Sequence, residues 1–154
     1  MVESMIALGI SVFLLAGLLN VFIACNRYWH VTSLNMSTTR QGSHCLQQMV
    51  YGVGTNIGLR GAYWITNSGT STNWVLTSSN YYGTVWYKYV ASSKTVVFSN
   101  ASSTCVIGTN IVASQVSTSA FGLGISLTVQ QSAGPFPDGN QFSTYVKLRG
   151  CKSQ

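Results

Sequence analysis

Apolar side chains fill residues 4–25 almost without interruption, and a more polar stretch begins directly afterwards. As an α-helix this run would be about 33 Å long, which is enough to cross the hydrocarbon core of a bilayer. Arg27 follows the run, and the adjacent Tyr28 and Trp29 are of the aromatic type enriched at membrane–water interfaces. The pattern predicts a membrane-spanning helix with an apolar surface made by Met5, Ile6, Leu8, Ile10, Val12, Phe13, Leu14, Leu15, Leu18, Leu19, Val21, Phe22 and Ile23.

A secretory signal peptide is the obvious alternative for this segment. It fits poorly, because no basic region precedes the apolar run and no clean small-x-small cleavage site follows it. A plain signal anchor accounts for the apolar run but leaves Glu3 unexplained.

Further along the chain, apolar residues recur near helical spacing at Leu46, Met49, Val50, Val53, Ile57 and Leu59. This periodicity predicts an amphipathic helix that packs on a sheet. The same stretch contains Gly52, Gly54, Gly58 and Gly61, which do not match a phosphate-binding GxGxxG loop because no strand precedes them. We expect these glycines to allow close approach of helix and sheet, with Gly58 or Gly61 near the helix end.

The remainder of the chain is rich in short β-strand patterns. Residues 84–90 and 95–99 flank a four-residue connection and predict a β-hairpin. Between residues 123 and 129, large apolar side chains alternate with small or polar residues, which predicts a strand with one buried face. This strand is predicted to span residues 121–130. Further strands are predicted at residues 74–77, 111–116 and 142–148, with a turn at 134–139.

The predicted fold class is therefore α+β, with a long N-terminal hydrophobic helix followed by an antiparallel β-sheet head. Three parts are predicted along the chain. They are a hydrophobic helix at residues 1–28, an amphipathic helix continuing into the head at 29–62, and a β-rich globular head at 63–154.

Charged residues make up only 6% of the chain, whereas an ordinary soluble domain has about 25%. The formal net charge is +6, and the basic residues are scattered rather than clustered. A DNA-binding stripe is therefore disfavoured relative to a few solvated cations. The low charge suits an extracellular or densely packed protein better than a free cytosolic monomer.

Titratable groups are too few and too far apart for ordinary catalytic sites. Glu3 and Asp138 are the only acids, and they lie at opposite ends of the chain, which excludes a pair of carboxylates for acid–base catalysis. His30 and His44 would be about 21 Å apart on a helix, too far to share one metal ion. We therefore expect no enzymatic activity, no cofactor and no metal site.

The four cysteines show no zinc, redox or haem spacing, and their even number fits an oxidising compartment. Cys105 and Cys151 are the preferred disulfide pair, because both lie in the β-rich head. Their bond would close a loop of about 47 residues, worth about 4 kcal/mol in the chain-entropy model. Cys25 and Cys45 would be about 30 Å apart on a continuous helix, so they can join only between staggered copies. The alternative is that both are ordinary small apolar residues.

Glu3 has two possible explanations. A carboxylate in an apolar helix costs on the order of 2.5 to 3.5 kcal/mol at mid-bilayer and less near an end. In the first turn the helix dipole favours an anion, and this local effect is the first explanation. The second is that the carboxylate binds the α-amino group of a neighbouring copy, which would set the axial register between subunits.

The first ten residues, MVESMIALGI, resemble the start of type IV pilins and related pseudopilins. In that family a glutamate lies just after the leader-peptidase cleavage point and is followed by a long apolar helix. The resemblance implies that Glu3 sets the register of assembly and that residues 4–25 form the membrane anchor and filament core. It is close over residues 1–25, and beyond them only the layout agrees.

The chain departs from the family pattern in several ways. In the family the glutamate lies slightly further from the mature N-terminus and the first residue is often Phe, which implies two missing residues or a different cleavage point. The basic leader ending in Gly is absent. The helix-disrupting proline is absent too, so Gly17 and Asn20 are the candidate weak point of the helix. Glycine costs about 1 kcal/mol relative to alanine in a helix, although it is also common in membrane helices.

The sequence thus predicts the structural subunit of a type IV pilus-like extracellular filament. Its expected partners are other copies of the chain in a helical filament, and the inner membrane before assembly. The alternatives are a minor pseudopilin of a type II secretion system, and a membrane-anchored module that binds DNA or a surface glycan. A membrane-tethered enzyme is disfavoured by the lack of convergent titratable groups.

Overall fold

The computed structural model describes residues 2–70, 73–119, 122–130 and 139–147. Two compact units divide the chain, Met1–Met36 and Ser37–Gln154, which we call the N-terminal and C-terminal units. The N-terminal unit is helical, and the C-terminal unit combines the end of the same helix with antiparallel strands. The predicted α+β fold class is therefore confirmed.

Helix α1, Val2–Tyr51, contains 50 residues and includes the whole predicted membrane span. It continues without interruption through Gly17 and Asn20, the residues predicted as a weak point. The hydroxyl group of Ser11 donates a hydrogen bond of 2.8 Å to the carbonyl oxygen of Ala7. This polar side chain of the apolar run is therefore satisfied within the helix itself.

The helix ends at Tyr51 because the next residue takes a backbone conformation that suits only glycine. Gly52 has a φ of +109°, and a Cβ atom there would collide with the carbonyl oxygen of Asn56. The amphipathic helix predicted over residues 29–62 thus stops before its predicted end. A turn and a short 3-10 helix, Leu59–Gly61, follow it.

Eight strands are present in the described part of the chain. They are β1 (Trp64–Thr70), β2 (Asn73–Asn80), β3 (Gly83–Val90), β4 (Thr95–Ser99), β5 (Thr104–Gly108), β6 (Ile111–Ser119), β7 (Gly122–Val129) and β8 (Asn140–Lys147). They form two antiparallel sheets, one in the order β1-β2-β3-β4-β5 and the other in the order β6-β7-β8. All neighbouring strands in each sheet are consecutive in the chain, so short connections suffice.

The predicted hairpin is the β3–β4 pair, and the strand with the alternating pattern is β7, whose large apolar side chains are buried. Strands β1 and β5 were not expected from the sequence. The single predicted sheet is in fact two sheets. Phe121, Leu148 and residues 134–138 of the predicted turn lie outside the described residues.

The core of the C-terminal unit lies between the buried faces of the two sheets and the end of α1. Two buried side chains link the sheets by hydrogen bonds. The Nε1 atom of Trp74 donates to the Oγ atom of Ser114 at 3.0 Å, and the hydroxyl of Tyr89 donates to the carbonyl oxygen of Ile111 at the same distance. The largest fully buried side chains are Trp74, Tyr87, Tyr89, Phe98, Met49, Leu59 and Leu76.

Helix α1 approaches the strands closely at two glycine positions. Gly42 lies against the ring of Phe142 in β8, and a Cβ atom at Gly42 would overlap that ring. Gly108 in β5 lies against Cys45 of the helix. The close helix–sheet approach was expected at Gly52, Gly54, Gly58 and Gly61, but the described contacts place it at Gly42 and Gly108. Gly58 lies against the backbone of Val50 and Gly52, near the helix end as expected.

Candidate functional site

The candidate functional site is the surface of the N-terminal part of α1, where apolar side chains are exposed. Every residue from 2 to 30 is exposed, and we call these residues the exposed segment. The apolar side chains predicted to form the membrane span range in exposure from 47% for Ile23 to 84% for Phe13. Isolated exposed apolar residues are normal in proteins, but a continuous patch of this size marks an interaction surface.

The apolar side chains surround the helix rather than forming one stripe. Val12, Phe13, Leu14 and Leu15 are consecutive, so they point in four directions about the axis at 100° per residue. A helix that is apolar all round is normally buried in a protein core or a membrane. By length and composition α1 can cross a membrane, and it is therefore compatible with membrane anchoring.

Glu3 lies in the first turn of α1 and is exposed. The dipole of the helix favours an anion in that turn. The basic side chain of the exposed segment is Arg27, which lies about 36 Å further along the helix. Arg27 of the same copy therefore cannot pair with Glu3.

A shallow apolar groove lies near the start of the exposed segment. Ile6, Gly9, Ile10, Phe13 and Leu14 line it, and its volume is about 460 Å³. Apart from its chain neighbours and the nearby backbone of its own helix, no atom lies within 4 Å of the position that a Cβ atom of Gly9 would occupy. Small residues on apolar helices let a second helix approach closely, so this groove suits helix packing.

The polar end of the exposed segment carries Tyr28 and Trp29, with exposures of 79% and 76%. Both follow Arg27 directly. An aromatic pair beside a cation, just beyond an apolar run of membrane-spanning length, is typical of the interfacial region of a bilayer.

Three of the four cysteines lie among the described residues. Cys25 is exposed on the exposed segment, whereas Cys45 is buried, and burial raises the pKa of the Cys45 thiol to about 12. Cys45 thus packs against the sheet as expected of a small apolar residue, and it is not available to a neighbouring copy. Cys105 is a free, exposed thiol on β5, and Cys151 lies outside the described residues. The Cys105–Cys151 disulfide stays a prediction.

His30 and His44 are both exposed on α1. Among the described residues, no three His, Cys, Asp or Glu side chains come together in a way that could hold a metal ion.

Sequence reasoning did not find a second surface, which lies where α1 ends. A cleft of about 440 Å³ is lined by Tyr51 at the helix end, Arg60 in the 3-10 helix and Tyr63 just before β1, with Val50 and Ile57 beside them. We call it the aromatic cleft. The available signal was the spacing of two tyrosines and an arginine among the glycines of residues 51–63, a spacing that predicts no contact by itself.

A scan against protein-family models finds no match for the chain, and searches of curated proteins and of solved structures find none either. What the chain does is therefore inferred from its own residues and geometry.

Proposed function

We propose that this protein is the structural subunit of a type IV pilus-like filament and that it assembles through the exposed segment. Before assembly the segment lies in a membrane, and after assembly it packs against the same segment of other copies. The observation that supports this proposal is the exposed apolar surface that surrounds the helix between Met5 and Ile23. The resemblance of the first residues to type IV pilins and pseudopilins agrees with it.

The apolar surface of the exposed segment is stable only when lipid or another protein surface shields it from water. Fully burying one Leu, Ile, Val, Phe or Met side chain contributes about 1.5 to 3 kcal/mol. Burial of the thirteen apolar side chains of the predicted membrane span would therefore contribute on the order of 20 to 40 kcal/mol. Water is therefore not a stable environment for the segment. Transfer from lipid to a protein core changes little of this energy, since both surroundings are apolar. Helix packing and polar contacts then decide whether the filament or the membrane is preferred.

Glu3 supplies the polar contact in this proposal. Near the membrane surface its carboxylate remains partly solvated, and the helix dipole stabilises it. Inside a bundle of apolar helices, the carboxylate would be stable only when paired with a cation, and we propose the α-amino group of a neighbouring copy. Such a pair forms at one axial offset only, so it fixes the register of assembly.

An abundant pilus subunit and a minor pseudopilin would assemble through the same helix, and the proposal covers both. They differ in how much filament a cell displays.

The proposal is tested on material sheared from the surface of cells that express the chain. Negative-stain microscopy should show filaments, and mass spectrometry should recover peptides from the strands of the C-terminal unit as a main component. If the chain stays in the membrane fraction as single molecules under all expression conditions, the membrane-anchored binding module is favoured instead.

A further inference from the structure

The aromatic cleft is held open by hydrogen bonds that do not involve its lining side chains. The Nδ2 atom of Asn80 donates to the carbonyl oxygen of Ile57 at 3.1 Å, and the Nδ2 atom of Asn100 donates to the Oδ1 atom of Asn56 at the same distance. The backbone N–H of Tyr63 donates to Ser79 at 2.8 Å. The loop after α1 is thus fixed to the ends of β2 and β4, and a ligand would meet a preformed site.

Arg60 and Tyr51 form a cation–π pair in this cleft. The guanidinium carbon of Arg60 lies 5.7 Å from the centroid of the Tyr51 ring, within the range of a cation–π interaction. The planar guanidinium of an arginine can bind a carboxylate with two parallel hydrogen bonds.

The charge around the cleft favours a ligand with one anionic group. Within the described part of the C-terminal unit no residue is acidic, so no protein carboxylate there neutralises Arg60. Arg60 is also the single cation that lines the cleft. Lys94 lies in the turn between β3 and β4, at the opposite end of β3 from the turn next to Asn80.

This charge count argues against single-stranded nucleic acid. Nucleic acid carries one phosphate per nucleotide, and grooves that bind it follow the backbone with several cations. One arginine beside two exposed tyrosine rings matches a different chemistry. The apolar face of a pyranose ring stacks on an aromatic side chain, and an acidic sugar brings one carboxylate per ring.

We propose that the aromatic cleft binds an acidic sugar of a glycan, with the sugar ring against Tyr63 and its carboxylate on Arg60. The site lies entirely within the C-terminal unit and does not depend on filament assembly. It therefore stands or falls separately from the proposed structural function.

Binding is measured on the full chain in detergent micelles by isothermal titration calorimetry. The probes are tetragalacturonate, a hyaluronate tetrasaccharide and sialyllactose, with methyl-esterified tetragalacturonate as the neutral control and an eight-nucleotide oligothymidine as the nucleic-acid control. We expect at least one acidic probe to bind, at least tenfold more tightly than the neutral ester or the oligothymidine. Arg60→Gln and Tyr63→Ala should each weaken that binding at least tenfold.

Two variants control for general effects. Arg40→Gln removes an exposed arginine that lies on α1, outside the cleft. Tyr145→Ala removes a tyrosine of β8 whose exposure, 58%, is almost the same as the 59% of Tyr63. Neither should change the affinity, and thermal unfolding should confirm that all four variants are folded. The proposal is overturned if none of the three acidic probes binds, if esterification leaves the affinity unchanged, or if the oligothymidine binds best.

Discussion

The hydroxyl group of Tyr89 in β3 donates a hydrogen bond of 3.0 Å to the carbonyl oxygen of Ile111 in β6, and both residues are buried. This bond joins the five-stranded sheet to the three-stranded one. Tyr87 lies two residues earlier on the same face of β3 and is equally buried. Among the described residues, however, its hydroxyl has no hydrogen-bond partner. The two tyrosines therefore form a matched pair for measuring what a buried hydroxyl contributes.

We expect Tyr89→Phe to lower the free energy of unfolding of the C-terminal unit by about 1 to 3 kcal/mol, because it leaves a buried carbonyl oxygen without its donor. Tyr87→Phe should leave the free energy unchanged or raise it, since it removes a desolvated hydroxyl that gains nothing in return. Denaturant titration of the full chain in micelles, followed by tryptophan fluorescence, measures both. A larger loss from Tyr87→Phe than from Tyr89→Phe would contradict this assignment.

The contact between α1 and β5 gives a second prediction. A Cβ atom at Gly108 would come within 2.6 Å of the Sγ atom of Cys45 and 2.8 Å of the Cδ1 atom of Ile111. Gly108→Ala should therefore cost about 1 to 3 kcal/mol of unfolding free energy, as overpacking of a tight core does. Gly17→Ala is the control, because its added methyl group meets no atom within 4 Å beyond its chain neighbours and the nearby backbone of its own helix, and alanine favours the helix.

A double-mutant cycle locates the source of that cost. Cys45→Ala removes the sulfur that the new methyl group meets, so the cost of Gly108→Ala should be smaller in the Cys45→Ala background. Equal costs in both backgrounds would show that the helix–sheet contact is not what excludes a side chain at position 108.

The buried Cys45 thiol predicts a loss of stability at alkaline pH. Its pKa is about 12 in the folded chain against 9.0 for an exposed thiol, because burial disfavours the thiolate. Unfolded chains thus release this proton above pH 9, while folded chains keep it until about pH 12. The stabilising contribution is complete below pH 9 and is lost as the pH rises, by about 1.4 kcal/mol per pH unit.

Unfolding titrations between pH 8 and pH 11 test this sign. Cys45→Ala should show a shallower fall in unfolding free energy than the unmodified chain, and Cys25→Ala, which removes an exposed thiol, is the matched control. Burial, and secondarily the nearby Cys105, also raise the pKa of Tyr87, so some alkaline sensitivity should persist in every variant that retains Tyr87. Identical slopes for Cys45→Ala and the unmodified chain would contradict the prediction.

Much of this fold follows from local patterns. Strands β3 and β4 were predicted nearly to their ends, because β-branched and aromatic residues flank a short turn. Strand β1 escaped prediction because only Ile65 of its seven residues is buried, so no apolar alternation marks it. Strand β5 is short, and its pairing with β4 shifts register between Val96 and Val97. Its pattern is therefore too brief and too irregular to stand out.

The contacts between distant residues could not be predicted in the same way. Position 42 accommodates only a glycine, because the ring of Phe142 occupies the space where a Cβ atom would lie. These two residues are a hundred positions apart in the sequence. The aromatic cleft likewise depends on Asn80 and Asn100 fixing the loop after α1. By contrast, the exposed segment was predictable from composition alone, because a helix that is apolar all round needs no tertiary information to be identified.

Glu3 should matter for assembly more than for membrane insertion. Glu3→Ala removes a charge from an apolar segment, so the amount of chain in the membrane fraction should stay the same or rise. The yield of sheared filaments should fall at least about tenfold, because the carboxylate that pairs with the neighbouring copy is lost. Glu3→Gln keeps the shape without the charge and should behave like Glu3→Ala. Normal filament yield from both variants would return Glu3 to its local role at the helix start.

The central claim is that the exposed segment of one copy packs against that of another. The most direct measurement replaces Phe13 with the photoreactive analogue benzoylphenylalanine and irradiates assembled filaments. Phe13 is the most exposed of the thirteen apolar residues of the predicted membrane span. Mass spectrometry of the cross-linked peptides should place the new bonds on residues 2–30 of a second copy. The same analogue at Tyr81, an exposed residue of the C-terminal unit, should form no bonds to that segment. Cross-links from position 13 only to lipid, or to residues of the C-terminal unit, would contradict the account.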